Sequence, residues 1–137
     1  MKFTLPYGRS FIEADLPDNL QVDLLEPPLV PPAPDSLSAV RSALDEPLGA
    51  LRLADYAGAR SVAVAVNDKT RPVPMRYLLP PLLEKLASAG IAPGVVTLIA
   101  AVGLHAPMTP EEFPAIIPPQ VLLRYPVISH DAKDGEN

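Results

Sequence analysis

Three features of this 137-residue chain predict an α/β fold. Ser61–Val66 and Val95–Val102 are short, unbroken, valine-rich runs bounded by polar residues, proline or glycine, the pattern of parallel strands buried on both faces. Between them Leu78, Leu79, Leu82, Leu83, Leu86 and Ala87 form a wide apolar stripe at helical spacing, suited to packing on a sheet. After the second run a helix start is followed by one more strand-like stretch, Tyr125–Ser129. The order strand, helix, strand, helix, strand is one half of a doubly wound unit. The expected architecture is therefore a three-layer Rossmann-like domain with a mainly parallel sheet and an amino-terminal β-hairpin, a single domain over residues 1–137.

Each element has a local reason. Lys2–Tyr7 and Ser10–Leu16 are strand-like and separated by Gly8-Arg9, which reads as a hairpin of structural use. Glu26-Pro-Pro-Leu-Val-Pro-Pro-Ala-Pro34 must be largely extended, because each proline fixes its own backbone and restricts its predecessor; it reads as a stiff connector, with a docking peptide as the weaker alternative. Asp35 or Ser36 caps a helix to about Asp45 carrying Leu37, Val40 and Leu44 on one side. A short second helix spans Leu51–Ala57 and stops at Gly58. In the helix after Pro74, Pro80 and Pro81 are expected within the first turn, where a missing N–H costs nothing. Thr109-Pro-Glu-Glu112 combines a cap residue, Pro at the first helical position and Glu three residues on, which together start a helix. Pro114 keeps it short and Pro118-Pro119 ends it.

Composition excludes several classes of function. A formal net charge of -5 and a pI near 4.9 lack the broad basic footprint that holds a nucleic-acid backbone. With no cysteine there are no disulfides, thiolate metal ligands or Cys nucleophile. Residues 1–20 carry no secretory signal pattern, and no stretch reaches the roughly 18 apolar residues of a membrane span. The expected location is cytoplasmic.

In an open parallel sheet, ligands sit beyond the carboxyl ends of the strands. Asn67, Asp68, Thr70 and Arg71 emerge there after the first run, and His105 follows the second in Gly103-Leu-His-Ala-Pro-Met-Thr109. Arg71 offers a planar fork for a carboxylate or phosphate, and Asp68 can orient it or accept from a ligand hydroxyl. The plainer alternative is an Asp-Thr turn with Arg71 in solvent; Pro72 and Pro74 favour a stiff, preorganised turn. His105 is a candidate general base, since an unperturbed imidazole titrates nearest neutral pH. No glycine-rich phosphate loop is present, so a conventional dinucleotide or ATP site has no support. His130, Asp131 and Asp134 lack metal-ligand spacing and read as a solvated tail, and no metal ligands are assigned.

Asn67-Asp-Lys-Thr-Arg-Pro-Val-Pro74, Gly103-Leu-His-Ala-Pro-Met-Thr-Pro-Glu-Glu112 and Arg124-Tyr-Pro-Val-Ile-Ser-His-Asp-Ala132, with Leu5-Pro-Tyr7 and Asp45-Glu-Pro-Leu-Gly49, resemble the amino-terminal part of the nickel-dependent lactate racemase family. The resemblance implies a nickel pincer nucleotide held between an amino-terminal and a carboxyl-terminal domain, and a 2-hydroxy acid racemised or epimerised by reversible hydride transfer. It implies that His105 is one of two acid/base histidines and that Asp68 and Arg71 contact substrate or cofactor; Thr70, which emerges at the same strand end, is taken as a further binding residue. Ala106 stands where the family commonly has Arg. The family's covalent cofactor lysine, nickel-binding histidine and second catalytic histidine come later than residue 137, so this chain alone is expected to be inactive. The competing reading is a non-catalytic module for a small anion or nucleotide.

Overall fold

The computed structural model describes residues 1–50 and 52–135, and divides into two compact units, Met1–Pro32 and Ala33–Asn137. In the first unit, β1 (Lys2–Tyr7) and β2 (Ser10–Asp15) form an antiparallel hairpin in which Phe3 faces Ala14 and Leu5 faces Ile12. The turn requires Gly8, whose φ of 59° is left-handed. Residues 21–33, including most of the proline-rich segment, have no regular secondary structure.

The second unit begins with α1 (Ser36–Asp45), whose N-cap Asp35 accepts from the Ser38 N–H at 3.1 Å, and a 3₁₀ turn at Leu53–Tyr56. The alternating elements follow: β3 (Val62–Asn67), α2 (Met75–Ser88), β4 (Val96–Ala101), a 3₁₀ segment (Pro110–Ala115), α3 (Pro119–Leu122) and β5 (Val127–Ser129). The three strands form a parallel sheet in the order β3-β4-β5, with Val64 beside Leu98 and Ile99 beside Ile128. Among the described residues no helix is long and apolar enough to cross a membrane.

The core lies on one sheet face. Val96, Leu98 and Ala100 of the central strand pack with Leu79, Leu83 and Leu86 of α2 and with Phe113, Ile117 and Val121 beyond β4. Right-handed crossovers that run in one direction along a sheet place their helices on one side, which is why these elements share that core. The expectation that β3 is buried on both faces is corrected: only Val66 is fully buried, Val62 and Val64 are half-buried, and Ala63 and Ala65 are exposed. A run of apolar residues does not distinguish an edge strand with small outward alanines from a central strand, and β4 is the central one.

Other boundaries also move. The α2 helix starts at Met75, so Pro80 and Pro81 sit in its second turn instead of its first, and Ala87 of the expected stripe is exposed. Burying Met75, Leu79 and Pro81 offsets the interior prolines, since one buried Leu or Met side chain contributes about 1.5–3 kcal/mol and an interior proline costs about 3 kcal/mol. Thr109 begins a 3₁₀ segment instead of an α-helix. Pro119 starts the short α3, because its fixed φ suits a first helical position. The expected second helix is the 3₁₀ turn; Leu51, at its expected start, lies outside the described residues.

Candidate active site

Two loops leave the carboxyl ends of β3 and β4, which are neighbours in register through Asn67 and Ala101. The first turns at once, with the Arg71 N–H donating to the Asp68 carbonyl at 3.2 Å. Thr70 closes the turn from within, donating to Asp68 Oδ1 from its N–H at 3.0 Å and from its hydroxyl at 2.7 Å, the way an Asp side chain commonly stabilises a turn. In the second loop Gly103, at φ 60°, lets the chain reverse so that the His105 N–H donates to the Val102 carbonyl.

The loops meet at one contact. His105 Nδ1 lies 2.6 Å from Asp68 Oδ2 and 3.3 Å from the Thr70 hydroxyl. Asp68 is the buried acid here at 4% exposure, whereas the His105 side chain is half exposed. An ionised carboxylate only accepts, so Nδ1 carries a proton, and in the neutral ring Nε2 is left as an acceptor, with no hydrogen-bond partner among the described residues. A cleft of about 330 Å3 opens here, lined by Asn67, Asp68, Arg71, Ala101, Gly103 and His105 among others. The Arg71 guanidinium, exposed at its rim, has no ion-pair partner among the described residues.

All four residues singled out in the sequence, Asp68, Thr70, Arg71 and His105, thus gather at one sheet edge. Direct ligand contact by Asp68 is less favoured by this geometry than by the sequence, since both its oxygens are engaged by donors of the chain itself. His130 and Asp131 follow β5, where the His130 N–H donates to the Ala100 carbonyl at 3.0 Å and the side chain is exposed, and the described residues contain no cluster of His, Cys, Asp or Glu suited to a metal. The donor set fits an anion beside an acid/base group, not a metal ion. A larger cavity of about 540 Å3, lined by Leu44, Leu53, Tyr56 and Leu82, is mainly apolar; of its ionic residues Asp45, Arg52 and Lys85, the first and last pair with each other. It holds no histidine.

The sequence did not reveal what holds the His105 loop. The Met108 N–H donates to Ser129 Oγ at 2.8 Å, and the Thr109 N–H donates to Glu112 Oε2 at 3.1 Å. Glu112 also pairs with Lys69 of the other loop. The Thr-x-x-Glu spacing signalled the second of these contacts; nothing in the spacing signalled the reach to Lys69.

The hydrogen bond from His105, reinforced by those from Thr70, lowers the Asp68 pKa from 3.8 to about 2. A carboxyl held below its unfolded value contributes stability above that value, and the contribution is lost as pH falls through the folded one. Melting temperature followed by circular dichroism should therefore fall more steeply for the wild-type chain than for Asp68→Asn between about pH 4 and pH 2. Equal slopes would mean that Asp68 makes no special pairing in the folded state.

A sequence profile described as the lactate racemase N-terminal domain matches residues 7–137. Over 138 aligned residues the chain is 32% identical to the lactate racemase of Thermoanaerobacterium thermosaccharolyticum, covering 97% of this chain and 32% of that protein. It is also 37% identical over 75 residues to the lactate racemase of Lactiplantibacillus plantarum, covering 53% of this chain and 17% of that protein. The solved structure of the lactate racemase apoprotein from T. thermosaccharolyticum superposes with a TM-score of 0.80 at 29% identity, covering 100% of this chain and 32% of that one. The chain spans about a third of that relative's length. With a profile match over nearly its whole length and the same fold as a solved relative, the chain belongs to the lactate racemase N-terminal domain family.

Proposed function

We propose that this chain is the amino-terminal substrate- and cofactor-binding domain of a cytoplasmic 2-hydroxy-acid racemase or epimerase that uses a nickel pincer nucleotide. The supporting observation is the 2.6 Å contact between buried Asp68 and His105 beside the free guanidinium of Arg71 in one cleft. When bound, the nickel pincer nucleotide supplies a reversible acceptor for hydride.

The roles of this chain's own residues follow. Arg71 holds the substrate carboxylate or a cofactor phosphate through charge-assisted hydrogen bonds. His105 Nε2 takes the proton of the 2-hydroxyl group as the C2–H bond breaks and hydride departs, leaving a 2-oxo acid. Once the C2–H bond re-forms on the other face, the 2-oxygen would take its proton from the acid/base group serving that face, giving the opposite enantiomer. Asp68 and Thr70 keep the imidazole in the tautomer that can accept. The lysine that binds the cofactor, the nickel ligands and the acid/base group for the second face come from a carboxyl-terminal domain of the same protein.

Steady-state kinetics on the full-length, cofactor-loaded protein carrying this domain test the reading. Arg71→Ala should raise KM with little change in kcat, as expected for a contact equally strong in ground and transition states. Purified 1–137 should not interconvert D- and L-lactate even with cofactor supplied. Interconversion by that chain, or an Arg71→Ala enzyme with unaltered KM, would contradict the assignment. Binding of small carboxylates by a full-length protein without turnover would instead favour the non-catalytic anion module.

A further inference from the structure

We propose that Glu112 is a positioning residue for His105, clamping the loop after β4 to the loop after β3 through Lys69. The idea rests on the acid/base reading of the Asp68–His105 pair, but its test reads the imidazole itself and not turnover.

The loop carrying His105 has little packing of its own. Leu104 is 94% exposed, and residues 103–107 are all exposed. Beyond that stretch Met108 is buried and its N–H is held by Ser129 Oγ, so the loop is fixed to β5. Neither anchor refers to the loop that carries Asp68. Apart from the pairing of His105 with Asp68 and Thr70, the side-chain tie between the two loops among the described residues is the ion pair of Lys69 with Glu112. Lys69 lies in sequence between the two residues that hold the ring, so its side chain fixes the strand exit from which both reach.

Glu112 divides its two oxygens between these tasks. Oε2 accepts from the Thr109 N–H, closing the first turn of the 3₁₀ segment, and Oε1 takes Lys69 Nζ. Local capping explains only the first contact. Glutamine closes such a box as well as glutamate, so capping does not require the charge. The charge is required by Lys69 alone, which makes Glu112→Gln a substitution that separates the two roles. Pairs this exposed are worth little to stability, about 0–1 kcal/mol. The geometry of His105, not the melting temperature, is therefore where its loss should appear.

Nitrogen-15 NMR of the imidazoles in the 137-residue chain reads this directly, because the chain has two histidines and exposed His130 serves as an internal reference. In Glu112→Gln the ratio of Nδ1–H to Nε2–H tautomer at His105 should fall by about threefold or more, at the low end of coupling within one hydrogen-bond network. Lys69→Gln should give the same fall, and the double variant no further one. Raising ionic strength to about 1 M, where screening acts within about 3 Å, should mimic the substitutions in the wild-type chain and leave the variants unmoved. Glu111→Gln, one residue away, should leave His105 as it is. An unchanged His105 spectrum in both Glu112→Gln and Lys69→Gln would reduce the pair to a surface contact and overturn the proposal. So would a spectrum that changes only with general unfolding. A wild-type His105 already in the Nε2–H form would instead count against the acid/base reading itself.

Discussion

Asp68→Asn in a full-length, cofactor-loaded racemase carrying this domain is expected to lower kcat by about 10²- to 10⁴-fold, the range that general acid/base catalysis supplies. The reasoning is a count of donors. Asp68 receives the Thr70 N–H and hydroxyl on Oδ1 and His105 Nδ1 on Oδ2. An amide has one accepting oxygen and one donating nitrogen. With its oxygen toward the two Thr70 donors, its NH₂ faces Nδ1 and forces the proton to Nε2, so the ring can no longer accept a proton from substrate. The reverse orientation sets NH₂ against the Thr70 N–H in a site that is 4% exposed. The loss should fall on kcat with cofactor content and KM near wild type; an active Asp68→Asn enzyme would mean that the carboxylate does not set the tautomer.

Much of this arrangement was legible in the sequence, for reasons tied to particular residues. Runs as apolar as Val62–Val66 and Val95–Val102 have few alternatives to strands, and the polar residues that end them mark where the sheet edge must lie. Asp68 and His105 therefore belong at one edge on sequence grounds alone. The resemblance to lactate racemases then attached chemistry to them. Which residues were partners was a matter of tertiary distance: Asp68 reads as a ligand contact in a linear chain, yet the fold brings His105, 37 positions on, to one of its oxygens while Thr70 engages the other. Glu112 was legible as a cap only.

Where the sequence misled, packing decided. The prolines at 80 and 81 argued for a later helix start, and the burial of Met75 and Leu79 extended α2 past them. The alanines of β3 looked like core, but an edge strand leaves one face without neighbours. The second crossover is short, as Pro114 led the sequence reading to expect, but its first piece is 3₁₀ and Pro119 opens a single-turn helix where it was expected only to end one.

His105→Ala carries the other large effect. In the proposed roles, removing the imidazole would leave the 2-hydroxyl group without a base on this side of the cleft, whereas Arg71 would still hold the anion. General acid/base catalysis contributes roughly 10² to 10⁴ in rate, about 3–5 kcal/mol of barrier. Because the interaction develops as the proton moves, the loss belongs to kcat and not to substrate binding. The decisive measurement is the steady-state interconversion of D- and L-lactate by the full-length His105→Ala enzyme, with nickel and nucleotide content quantified beside it. A fall in kcat of that size at unchanged cofactor content and near-normal KM is expected; turnover close to wild type would remove His105 from the mechanism.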